Sequence, residues 1–110
     1  MNRIRNYHAH VYFDAETLSK ARRLIEKAGA RFDLQVGRVH EKCVGPHPRW
    51  SCQLAFPSAT FDVLIPWLDA HRKGLTILIH GLTGDDLADH TKHTSWLGEA
   101  VALKLELFAE

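Results

Sequence analysis

Hydrophobic and polar positions along the chain alternate first with the period of a strand and then with that of a helix. From Tyr7 to Phe13, the residues Tyr7, Ala9, Val11 and Phe13 share one side and His8, His10 and Tyr12 the other, which predicts a strand with one core face. Asp14 suits an N-cap and Glu16 the positive end of a helix. Leu18, Ala21, Leu24, Ile25 and Ala28 then recur at helical spacing, with Gly29 placed to end the helix. From Arg31 the alternation returns through Phe32, Leu34, Val36 and Val39, a second strand ending near His40. Glu41 to Arg49, with Gly45-Pro46-His47-Pro48, is turn-rich, because each proline restricts itself and its predecessor, and it holds His47 on a stiff loop.

A third strand runs from Trp50 to Phe56, with Trp50, Cys52, Leu54 and Phe56 on one face and Ser51, Gln53 and Ala55 on the other. Pro57-Ser58 stops it. Phe61, Leu64, Ile65 and Leu68 mark a second helix that exits at Lys73-Gly74, and Pro66 predicts a kink or a later start. Leu75 to His80 reads as a fourth strand. Gly81 to His93 reads as a turn and a short helix capped by Thr83, Asp85 or Asp86, placing Asp86, Asp89, His90 and His93 on one face at i, i+3, i+4 and i+7. Trp96-Leu97 anchors that segment, and Ala100 to Phe108 alternates as a final strand.

Strand, helix, strand, strand, helix, strand is the order of an α+β, ferredoxin-like split β-α-β sandwich, here with an additional C-terminal strand. One domain, residues 1–110, is expected, its sheet ordered 4-1-3-2 with both helices on one face. With strands one and three read as parallel central neighbours, and strand four as antiparallel to strand one, His8, His10, His47 and His80 meet at one edge of the sheet. His8, His10, Gln53 and His80 then lie on the open face. His90 and His93 fold back over that edge with Asp86 and Asp89.

Composition narrows the chemistry. A net charge of +1 with 25% charged residues is ordinary, and the scattered basic residues favour neither nucleic acid nor an anionic membrane. No stretch approaches the roughly 20 apolar residues of a membrane span. Met1-Asn2-Arg3-Ile4-Arg5 leads straight into the first strand with no apolar leader, so a cytoplasmic location is expected. Cys43 and Cys52 are too few for a disulfide scaffold and read as structural thiols. Histidine is the unusual residue, with eight among 110. His40 needs no role, and His71, near a helix C-terminus, is a favourable dipole partner. A histidine taken singly is more often solvated than a ligand, so the argument rests on the joint placement of His8, His10, His47 and His80. Imidazoles with a carboxylate suit Fe(II) or Zn(II), and open positions would suit non-haem Fe(II) oxygen chemistry.

The motifs Tyr7-His8-Ala9-His10-Val11-Tyr12-Phe13-Asp14, Val44-Gly45-Pro46-His47-Pro48, Thr83-Gly84-Asp85-Asp86, Asp89-His90 and Trp96-Leu97-Gly98, taken together, resemble the DOPA 4,5-dioxygenase family of small ring-cleaving proteins. The resemblance spans almost the whole chain. It implies an Fe(II) extradiol dioxygenase opening a catechol such as DOPA with molecular oxygen, with Zn(II) as a substitute metal and a homodimeric assembly. His8, His10, His47 and His80 would supply the metal ligands, and His8, His90 and His93 the catalytic acid–base groups. Tyr12 and Gln53 would orient the substrate. One departure is His80-Gly81, where the family is expected to carry His-Pro, and losing the proline should loosen the turn. The competing expectation is a non-enzymatic dimer on the same fold that binds a metal or small molecule. The Leu-rich final strand, too apolar to stand open, either packs at the sheet edge or pairs across a dimer, and a homodimer is the favoured expectation.

Overall fold

The computed structural model of the chain describes residues 4–108. The N-terminal lead read above for the absence of a leader lies partly outside them. Five strands, β1 (Asn6–Phe13), β2 (Gln35–His40), β3 (Trp50–Pro57), β4 (Ile77–Gly81) and β5 (Thr94–Leu97), form one sheet in the order β2-β3-β1-β4-β5. Helices α1 (Leu18–Arg31) and α2 (Ser58–His71) cover one face. The expected split β-α-β sandwich is present, and no helix among the described residues is long and apolar enough to cross a membrane.

The core explains why the helices lie where they do. Ala9, Val11 and Phe13 of β1, Cys52, Leu54 and Phe56 of β3, and Ile77 and Ile79 of β4 present one apolar face to Ala21, Leu24, Ile25 and Ala28 of α1 and Leu64 and Leu68 of α2. Burial of this continuous apolar surface is the main favourable term in folding. His8, His10, Tyr12 and His80 are consequently left on the other side of the sheet.

Four expectations are corrected. Strands β1 and β3 are antiparallel, not parallel, with Tyr7 opposite Phe56 and Phe13 opposite Trp50. The α1 crossover makes β1 and β2 parallel, and β3, which returns from β2 through the Glu41–Arg49 turn, must oppose both. The start of β3 therefore lies by the end of β1, and His47 cannot reach His8 along a shared sheet edge. The expected final strand from Ala100 to Phe108 is irregular chain ending in a 3-10 turn, Leu105–Phe108. Thr94–Leu97 takes the place beside β4 instead, with Thr94 opposite His80 and Trp96 opposite Leu78. Helix α3 is one turn, Asp86–Asp89, so Asp86, Asp89, His90 and His93 do not form a helical face. Finally, α2 runs unbroken from Ser58 through Pro66, which rules out a later start. Asp62 and Pro66 are both exposed, so the carbonyl that loses its donor there is open to water.

Smaller shifts have local causes. Asp14 does not cap α1. Thr17 occupies that position, and Asp14 closes the preceding turn by accepting the Thr17 N–H at 2.9 Å. Gly29 lies inside α1, where an added Cβ would come within 2.9 Å of Val36 Cγ2, so its smallness lets β2 approach the helix.

Candidate metal centre

Antiparallel pairing sets His8 of β1 directly across from His80 of β4, and His10 lies two residues further along β1 on the same face. His10 and His80 are buried and His8 is half-buried. One ring nitrogen from each of His8, His10 and His80 lies within 4.8 Å of the others, a group that could hold a metal ion. No carboxylate belongs to it.

Hydrogen bonds assign the protons. His80 Nδ1 lies 3.1 Å from the Gly81 carbonyl, which can only accept, so Nδ1 carries the proton and Nε2 keeps its lone pair. That bare Nε2 lies 2.9 Å from His10 Nε2. Either His10 donates a proton across this gap or the two lone pairs share a cation. Two nitrogens bound to one metal at about 2.05 Å and at a right angle are about 2.9 Å apart. The Nδ1-to-carbonyl bond of His80 is also the usual partner of a metal-bound imidazole. These residues fit a divalent metal.

Burial and neighbouring histidines keep the rings neutral, as ligation requires. Burial pushes His80 down to about 4, against a smaller opposing pull from the Gly81 carbonyl. His47 falls to about 4 through burial and then through His90 and His80. His10 lies well below the ordinary range because of its burial and the surrounding imidazoles. His8 is lowered by burial and His90, with Asp89 pulling the other way.

His47 reaches the cluster over the face of the sheet. Its backbone N–H closes a turn onto the Val44 carbonyl at 3.1 Å, and Lys104 N–H ties the loop to the C-terminal segment through the Pro46 carbonyl at 2.9 Å. The His47 ring then packs 4.1 Å from that of His10, and its Nδ1 lies 2.7 Å from the Tyr12 hydroxyl. His47 is not in the three-residue donor group.

His90 arrives from beyond α3. Its Nδ1 donates to the Asp86 carbonyl at 2.7 Å, and its ring lies 4.3 Å from that of His80. The loop is pinned by buried Asp89, whose carboxylate accepts from the backbone N–H and hydroxyl of Thr83. Asp86 thus contributes a carbonyl and Asp89 a clamp, and neither joins the donor group. His93 is exposed, and its carbonyl accepts the Gly81 N–H at 3.1 Å. Its ring packs against none of the cluster histidines among the described residues. That bond also bears on the missing proline, since Gly81 is a paired strand residue whose N–H a proline would lack, and the segment is not loosened there.

Gln53 sits half-buried opposite His10. Tyr12, expected to face the substrate, is buried with its hydroxyl on His47. Sequence reasoning missed Phe108, whose ring stacks on His90 at 4.8 Å, and gave Trp96, 6.0 Å from the Tyr12 ring, only an anchoring role. No spacing rule signals Phe108, whereas the Asp86-to-His90 interval of four is the helical distance that lets Nδ1 reach a carbonyl.

The sequence profile described as the Dopa 4,5-dioxygenase family matches residues 7–107. The chain belongs to the Dopa 4,5-dioxygenase family. The DOPA 4,5-dioxygenase of Amanita muscaria is 31% identical over 111 residues, covering 93% of this chain and 49% of that protein. An uncharacterised 21.2 kDa protein of Botryotinia fuckeliana is 32% identical, covering 92% of this chain and 62% of its own length. The chain thus spans about half to three-fifths of the length of the curated relatives it matches. The crystal structure of a candidate dioxygenase from Nostoc punctiforme superposes with a TM-score of 0.93 at 48% identity, covering 94% of this chain and 90% of that one. The Dopa 4,5-dioxygenase family assignment and this likeness make the domain dioxygenase-like, on a fold shared nearly end to end with the Nostoc protein.

Proposed function

We propose that this domain is a non-haem Fe(II) extradiol dioxygenase that opens the ring of a catechol such as DOPA with molecular oxygen. The observation that carries the reading is the three-histidine group, His8, His10 and His80, two of them buried, in a member of this family. Ring opening places both oxygen atoms in the product and breaks the carbon–carbon bond beside the diol, so it needs no separate reductant. Bound Fe(II) would supply open positions and a path for electrons from the catechol, which is the group oxidised, to oxygen.

The chain's own residues divide the remaining work. His90 holds its proton at Nδ1 against the Asp86 carbonyl, which leaves Nε2 free to take a catechol proton as general base. Tyr12 is held protonated, because burial raises its phenol, and its hydroxyl has His47 Nδ1 as its partner. Donation from Tyr12 satisfies both groups and leaves His47 protonated at Nε2, a donor toward an oxygen atom of the substrate. His47 is therefore assigned as a hydrogen-bond donor and not as a fourth ligand. His93 has no part in this arrangement. Phe108 stacks over His90, and the loop carrying His47 lies against His10, so both cover part of the cluster. Assembly as a homodimer through the open edge strand β2, where Val36 is exposed, completes the proposal. Sedimentation showing only monomer removes that part.

The test is oxygen consumption by protein loaded anaerobically with Fe(II), across a panel of catechols. A yellow ring-opened product with stoichiometric oxygen uptake supports the reading. Iron-loaded protein that consumes no oxygen with any catechol refutes it.

A further inference from the structure

On the helical side of the domain, away from the histidines, Lys20, Arg23 and Lys27 of α1 face His71 and Lys73 at the exit of α2 across a cleft of about 100 Å³ floored by Leu24. Lys20, Arg23 and Lys27 recur at i, i+3 and i+7, so they share one face of α1. Lys20 Nζ is fixed on the Lys73 carbonyl at 2.9 Å, which draws the two helices' cations to one place. Lys73 itself holds a φ of 49°, a left-handed conformation that favours glycine. His71 Nδ1 is engaged by the Trp67 carbonyl at 2.8 Å, and its ring stacks on Trp67, so its Nε2 has a set direction.

Four cationic side chains here, Lys20, Arg23, Lys27 and Lys73, form no ion pair among the described residues. The ion pairs among the described residues, Arg22 with Glu41 and Arg72 with Asp69, involve none of them. No acidic residue lines the cleft, in a chain whose net charge is only +1. Like charges gathered this way repel, and a compact anion with more than one negative charge would relieve that repulsion.

From this juxtaposition we propose that the cleft between α1 and the exit of α2 is a binding site for a phosphate-type oxyanion, either free phosphate or the phosphoryl group of a small ester. Its volume suits a single such group and not an extended polymer. The site is solvent-facing, so a dissociation constant on the order of 1 mM is expected, and removing each cation should weaken it by about fivefold.

The test uses the intact chain, freed of metal so that phosphate has no other cation to find. Inorganic phosphate and glycerol 3-phosphate are titrated separately against chloride at constant ionic strength, read by backbone amide shifts and by thermal melting. Saturable shifts confined to residues 20–27 and 71–74, with a melting rise of roughly 5 °C at ten times the dissociation constant, support the site. Response to both probes identifies the phosphoryl group as the recognised unit, and response to phosphate alone identifies the free ion. The exposed double variant Arg23→Gln/Lys27→Gln should lose at least tenfold in affinity while binding metal as before. Shifts no larger than those in chloride, unchanged affinity in the double variant, or binding of an RNA oligomer without any response to either small probe would each overturn it.

Discussion

Replacing Tyr12 with phenylalanine tests the assignment of His47 most directly. Tyr12 is 1% exposed and its hydroxyl lies 2.7 Å from His47 Nδ1, with no other hydroxyl partner present among the described residues. Tyr12→Phe keeps the ring and its packing near Trp96, but leaves the buried His47 Nδ1 without a donor. An unsatisfied buried group of this kind costs about 1–3 kcal/mol, which for a domain of this size lowers the melting temperature by roughly 4–12 °C. His47 can then move its proton to Nδ1, which turns Nε2 from donor to acceptor and removes its bond to substrate oxygen. Loss of such a positioning partner costs about 10–100-fold in activity. The assay pairs oxygen uptake with Fe(II) affinity and with the ¹⁵N shifts of His47 in the Zn(II)-substituted protein. A fall in turnover, unchanged metal affinity and a tautomer switch are expected. Full turnover with His47 still protonated at Nε2, or a loss of metal affinity matching that of a ligand variant, would refute the reasoning.

Other perturbations probe the same site. His10→Ala or His80→Ala should weaken Fe(II) binding beyond roughly 100-fold, more than losing a partner of a ligand does, while His93→Ala should leave it unchanged, as isothermal titration will show. The metal-free protein should lose stability as pH falls. His47 and His80 sit near 4 when folded against about 6.5 unfolded, so the unfolded chain binds more protons between those values. Their contribution is complete above about 6.5 and declines toward 4. Denaturant melts that do not change across that range would contradict it. Gly81→Pro should destabilise by more than 1 kcal/mol, estimated as about 1 for the lost bond to His93 plus overpacking. Its Cβ would fall 2.6 Å from Ile4 Cδ1, and an unchanged melting temperature would count against that packing.

Much of this was readable because it depended on period alone. His8, His10 and Tyr12 share a face whichever way their neighbours run, and the odd positions of β1 are apolar enough to face the helices. Strand direction is not readable from the same alternation, and β1 and β3 pair antiparallel where a parallel pairing is expected. His47 still reaches the cluster because Pro46 and Pro48 stiffen a loop that folds over the sheet, a route no strand pattern contains. The C-terminal segment failed differently. Val101, Leu103, Leu105 and Leu107 alternate well, but a strand also needs an edge to pair with. Thr94–Leu97, despite its polar Thr94 and Ser95, comes first along the chain and takes β4's edge. Their alternation instead serves irregular chain that brings Phe108 onto His90.

A cluster of five imidazoles poses the question of how identical side chains acquire different tasks, and the answer lies at the nitrogen that faces away from the reaction. His80 and His90 both place Nδ1–H on a carbonyl, from Gly81 and Asp86, and so both present a lone pair. What separates them is what lies opposite. The lone pair of His80 meets His10 Nε2 at 2.9 Å, inside the donor group, while His90 stands outside it under Phe108. His47 has a hydroxyl where the others have a carbonyl, a partner able to donate to its Nδ1, and the proposed donor role takes the opposite tautomer. The carbonyl partners come from each histidine's own chain neighbourhood, one residue on for His80 and four back for His90. They are fixed as soon as the local backbone forms. The Tyr12 partner comes from β1 and exists only once the Pro46–His47–Pro48 loop has closed over the sheet. On the proposed roles, ligand and base are thus preset locally, whereas the His47 donor is assembled by tertiary structure, in a loop tied to the C-terminal segment by the bond from Lys104.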